Sequence, residues 1–69
     1  MERISVSSSN IASIGYDEGE KILEVEFLNG GVYQYFDVPQ ETYEGFINAE
    51  SHGKFLWAYV RGVFPCQEV

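Results

Sequence analysis

The run Leu23-Glu24-Val25-Glu26-Phe27, followed by Leu28-Asn29-Gly30-Gly31 and then Val32-Tyr33-Gln34-Tyr35-Phe36, constrains the fold more than any other part of the chain. Apolar and charged residues that alternate with a period of two make a half-buried strand, because successive side chains point to opposite faces of a sheet. An Asn-Gly pair between two such runs is the strongest short-range hairpin signal. Loop length then fixes the second strand, since one residue more or less moves its whole apolar set to the other face. A two-residue loop, Asn29-Gly30, puts Tyr33 and Tyr35 opposite Glu24 and Glu26 on the water side, with Val32 and Phe36 inside. A three-residue loop, Leu28-Asn29-Gly30 with the glycine left-handed in a bulge, puts both tyrosines with Leu23, Val25 and Phe27. The residues suit both loops: Gln34 is awkward in one and Phe36 in the other.

The neighbouring segments extend this hairpin. Residues 11–16 (IASIGY) read as a strand, joined to residues 22–28 by a turn at Asp17-Glu18-Gly19-Glu20, so that Ala12, Ile14 and Tyr16 point inward with Leu23, Val25 and Phe27. Residues 31–36 complete a meander. Asp37-Val38-Pro39 breaks the strand pattern, and proline suits the first turn of a helix. Tyr43, Phe46 and Ile47 recur at helical spacing, which predicts a helix over about 39–49 despite Gly45, whose cost relative to Ala is ~1 kcal/mol. Ser51 is a candidate N-cap for a second helix with Phe55, Leu56, Tyr59, Val60 and Val63 on one stripe and Gly62 near its end. The expected fold is α+β: a three-stranded antiparallel β-meander followed by two short helices packed on one face, in a single domain spanning residues 1–69.

Size and charge limit what such a domain does. At 69 residues, 45% of them hydrophobic, the chain folds only if it packs densely, because a domain this small buries only about 60% of its unfolded surface. Eleven acidic residues against four basic ones give a net charge of −7, so contact with an anion must be local. No run approaches the ~20 apolar residues of a membrane span, and the first ten residues lack the apolar core of a signal peptide. A cytoplasmic protein with no membrane partner is expected. The single cysteine, Cys66, has no internal disulfide partner and no base beside it, so it reads as an inert thiol. One His and one Cys without paired spacing do not make a zinc site, and no nucleophile, phosphate loop or cofactor fingerprint is present. The sequence predicts a non-enzyme without cofactor or metal. Glu24 and Glu26 share a strand face, but an open face does not split two carboxylate pKa values for acid–base work, and they read as a solvated row.

The second helix offers the candidate surface. At ~100° per residue, Lys54, Trp57, Ala58 and Arg61 fall on the side opposite the apolar stripe, so two of the four basic residues flank the indole. A cation, an aromatic face and a guanidinium in one row suit single-stranded RNA, with bases stacking on the ring and phosphates meeting the charges. The amides near Ser51-His52-Gly53 at the start of that helix add a place for an anion, where glycine permits close approach and His52 adds a pH-dependent charge. The structural readings stand beside this one: Arg61 favoured by the helix dipole, Trp57 at the core edge, Ser51 only a cap. The competing function is a protein-interaction or homodimerisation surface through Trp57, Ile22, Leu28, Val32 and Phe36.

Ser8-Ser9, Ile14-Gly15-Tyr16-Asp17, Leu23-Glu24-Val25-Glu26-Phe27, Gly30, Tyr33-Gln34-Tyr35, Val38-Pro39, Ala49-Glu50-Ser51-His52-Gly53 and Val60-Arg61 occur in an order and spacing that resemble the KTSC domain family. That family has a central Tyr-x-Tyr and is found alone in bacterial proteins and at the C-terminus of some lysyl-tRNA synthetases. The resemblance implies one apolar face running through Leu23, Val25, Phe27, Tyr33 and Tyr35, hence the three-residue loop and tyrosines that are structural. It implies no activity, and its link to a synthetase suggests contact with RNA. Arg61 and Ser51-x-Gly53 agree with the family pattern. Asn is more usual where Trp57 stands and Phe where Leu56 stands, which makes any role of the indole peculiar to this chain.

Overall fold

A computed structural model describes residues 1–69. Its elements are β1 (Arg3–Ser5), β2 (Ile11–Asp17), β3 (Ile22–Phe27), β4 (Val32–Tyr35), α1 (Gln40–Ile47), α2 (His52–Phe55), which runs on into a π-helical segment (Leu56–Val60), and β5 (Cys66–Glu68). The architecture is α+β with an antiparallel sheet and two helices on one face. The sheet has five strands, where the sequence predicted three, in the order β1-β2-β3-β4-β5. Both added strands are three-residue edges, exposed throughout, so neither carries the alternating pattern by which a strand is read. β5 pairs with β4 only after the chain has crossed the two helices, and Phe36 N–H donates to the Pro65 carbonyl (2.9 Å) at their junction.

The β3–β4 hairpin takes the three-residue loop. Leu23 lies opposite Tyr35 and Val25 opposite Tyr33, while Phe27 N–H donates to Gly31 O (2.8 Å) and Gly30 N–H to Phe27 O (2.9 Å). Gly30 has φ +99°, a conformation that a side chain would strain. Both tyrosines therefore stand on the face of Leu23 and Val25. β2 departs from simple alternation: Ile11 pairs with Phe27 but Ser13 with Glu26, so an extra residue bulges at this end. The bulge brings fully buried Ile11 into the core where alternation placed Ala12.

The core is one layer between sheet and helices, built from Ile11, Ile14, Leu23, Val25, Tyr35, Val38, Phe46, Leu56 and Val60. Tyr16 stacks on Tyr43 (4.7 Å, 7° between planes) and its hydroxyl donates to the Val38 carbonyl, pinning the β4–α1 connection to β2. The opposite face is polar. Arg3 bonds Glu24 (2.8 Å) and approaches Glu26 (3.9 Å), Ser13 donates to Glu26 (2.8 Å), and Gln34 donates to Glu24 (2.8 Å). Glu24 and Glu26 are thus held in a cross-strand network rather than left as a free solvated pair.

Candidate functional site

Ser51 caps the second helix, its hydroxyl accepting from Lys54 N–H (3.3 Å), as its position before the apolar stripe suggests. One turn later the helix widens: Arg61 N–H donates to Leu56 O, five residues back (2.7 Å). A widened turn breaks the regular stripe. Leu56 and Val60 are buried, Phe55 is half-buried between Phe46 and Tyr59, and Tyr59 and Val63 stand outside the core at 60% and 61% exposure. The prediction that Tyr59 and Val63 share the apolar stripe is therefore wrong, because a constant angle per residue does not hold through the π-helical turn. Arg61 follows the helix as its C-cap, in extended conformation.

The same turn keeps Trp57 and Arg61 together. The guanidinium carbon sits 4.1 Å from the indole centroid, a cation–π stack of about 0.5–1 kcal/mol at an exposed site. Trp57 is 62% exposed, and Arg61 belongs to none of the ion pairs, which all involve Arg3. The indole is not at the core edge and the guanidinium is not neutralised by a carboxylate.

Three hollows that share walls run beside this pair. The first, about 300 Å³, is lined by Phe27, Asn29, Tyr33, Tyr35, Arg61 and Cys66. The second, about 510 Å³, shares Phe27, Asn29 and Arg61 with it and adds Leu28, Leu56 and Trp57. Ser9, Asn10 and Trp57 lead on to the third, about 430 Å³, which is closed by Ser51, Gly53 and Lys54. Two of the four cations and none of the eleven carboxylates line this groove. Glu68, opposite Tyr33 on β5, shares the sheet face but not the lining.

The groove unites Arg61, Lys54, Trp57, Ser51 and Gly53, and excludes one residue expected with them. His52 turns inward against the Phe46 ring (6.0 Å between centroids), its Nε2 at 3.3 Å from the Ile47 carbonyl and its Nδ1 buried without a partner. It does not line the groove. Tyr33 and Tyr35, expected to be structural, are core-facing and also line the first hollow. Burial raises the Tyr35 phenol above its ordinary value of 10, Cys66 and Tyr33 add to that, and Arg61 opposes it. Ser9, Asn10, Phe27 and Asn29 were missed as lining residues. Asn29 gave only a turn signal, and Asn10 reaches Gly53 across 43 positions of sequence, so close that a methyl there would sit 2.9 Å from its Oδ1.

A five-stranded antiparallel sheet roofed by two helices, with a cationic aromatic groove along the second, defines a small α+β domain. Residues 7–64 match the KTSC domain model, and the chain belongs to the KTSC domain family. It is similar over 99% of its length to the crystal structure of a KTSC domain protein from Yersinia pestis, covering 96% of that chain with a TM-score of 0.96 and 41% identity. A protein of Stutzerimonas stutzeri is 43% identical over 54 residues, 78% of this chain and 76% of that one. The lysine–tRNA ligase of Nostoc punctiforme is 33% identical over 61 residues, which span 88% of this chain but 11% of the ligase.

Proposed function

We propose that the domain is a non-catalytic binding module whose groove takes single-stranded RNA, with phosphates on Arg61 and Lys54 and a base stacked on Trp57. The observation that carries this reading is the segregation of charge: in a protein of net charge −7, the one groove that joins an exposed indole to two unpaired cations has no carboxylate in its lining. Accessible aromatic faces and a row of cations are what sequence-tolerant single-strand binding requires. Similarity to a segment of a lysine–tRNA ligase, an enzyme named for its RNA substrate, supports the same direction.

An apolar protein interface through Trp57, Ile22, Leu28, Val32 and Phe36 fits less well. Only Trp57 and Leu28 of that set share a hollow, while Ile22 lies at the far end of β3, about 20 Å from Leu28 at roughly 3.3 Å per residue. Ile22, Val32 and Phe36 are half-buried.

Salt separates the two. With two phosphates neutralised, the logarithm of the RNA association constant falls with the logarithm of salt at a slope of about −1.4, and Lys54→Gln reduces that slope to about −0.7. An apolar interface is indifferent to salt or strengthened by it. A flat salt profile for the unaltered protein, or one that Lys54→Gln leaves unchanged, contradicts the proposal.

A further inference from the structure

The hollow between Tyr35 and Arg61 differs in chemistry from the two beyond it. Phe27, Tyr33 and Tyr35 give it three aromatic walls, with Phe27 and Tyr33 edge to face (5.7 Å, 80°), and its volume of about 300 Å³ is at the small end of ligand pockets (about 300–1,000 Å³). Its polar groups are mostly donors. Arg61 presents a planar fork of N–H groups; only the flat face of its guanidinium is engaged, by Trp57. Asn29 spends its carbonyl oxygen on Gly31 N–H (3.0 Å), which leaves its amide NH2 as the free end. Tyr35, 3% exposed, is a nearly buried residue that lines this hollow alongside Tyr33. No carboxylate lines the hollow to accept a hydrogen bond from a ligand.

A planar ring with two adjacent acceptors on one edge complements such a site. Among the bases of RNA, guanine presents N7 and O6 side by side and cytosine presents O2 and N3; the guanine edge is the one that an arginine fork takes most commonly, with two parallel hydrogen bonds. Adenine places its N6 donor beside N7 and would set donor against donor. A base inserted here would leave its flanking backbone running along the groove toward Lys54.

On the strength of the groove reading above, we propose that the Phe27–Tyr33–Tyr35–Arg61 hollow receives one unstacked guanine of single-stranded RNA, read through its N7/O6 edge by one pair of Arg61 N–H groups while the remaining N–H groups of the guanidinium keep the phosphate contact. The sole tryptophan, on the wall next to the hollow, reports binding by its fluorescence. At low salt the pentamer UUGUU binds about tenfold more tightly than UUAUU, and than the same pentamer with an abasic centre, the discrimination expected of one bidentate pair. Arg61→Lys keeps the charge and removes the fork; it still binds UUGUU and UUAUU, now equally. Equal binding of the pentamers by the unaltered protein, or a guanine preference that survives Arg61→Lys, overturns the guanine site while leaving the groove. Guanosine monophosphate binding as tightly as UUGUU overturns the single-strand requirement. Failure of every pentamer to bind removes the groove reading and the guanine site together.

Discussion

Tyr35 is almost wholly buried and still lines a hollow, so its environment couples the core to the groove. Burial holds its phenol neutral to higher pH than in the unfolded chain, and Tyr16 behaves alike, raised by burial and then by Glu18 and Asp17. The folded state therefore retains protons that the unfolded state loses above pH 10. By linkage, this part of the stability is complete below pH 10 and is lost as the pH rises through the folded-state values. Urea midpoints measured at pH 9 and 11 should show the decline, and Tyr35→Phe should make it shallower; an equal decline in the variant contradicts the assignment. Sequence pattern alone left the two tyrosines undecided between core and water, because both loop lengths suit Leu28-Asn29-Gly30. Trp57 and Arg61 were legible as neighbours, since spacings of four bring side chains together in an α-turn and still do so across the wider one. His52 was misplaced because nothing local signals that an N-terminal helix residue turns inward against Phe46.

The elements show where local signals suffice and where they fail. β3, β4 and the start of both helices follow from alternation, an Asn-Gly turn, Pro39 and Ser51. Three features follow from tertiary context alone: the bulge at the start of β2, the π-helical turn at Leu56–Val60, and the two edge strands. β1 has no buried side chain and is held by its ladder to β2 and by Arg3 over Glu24. Gly15 makes that ladder possible. A methyl group there would lie 2.7 Å from the Glu2 carbonyl and 2.8 Å from Arg3 Cγ, and the backbone contact cannot be relieved by a rotamer change. Gly15→Ala should therefore detach β1, destabilising the fold by about 1–3 kcal/mol. Hydrogen exchange checks this: amides of β1 should lose protection while those paired between β3 and β4 keep theirs. Unchanged β1 protection contradicts it.

Across the molecule, the ion pairs keep to the open face of the sheet. Arg3, Glu24, Glu26, Ser13 and Gln34 satisfy one another on the open face, whereas Arg61 and Lys54 stay free of ion pairs beside the second helix. Composition announces a polyanion that should repel RNA; only the fold reveals that the groove is spared. Its lining comes from the β1–β2 loop, the β3–β4 hairpin, the second helix and β5, four segments whose adjacency no local period encodes. Residue-resolved NMR during titration with a short single-stranded RNA at low salt tests the groove most directly. The signals of Asn29, Tyr33, Lys54, Trp57 and Arg61 should move together, while those of Glu24, Glu26 and Gln34 on the open face stay still. Shifts confined to the open face, or no shifts at all, would contradict RNA binding in the groove.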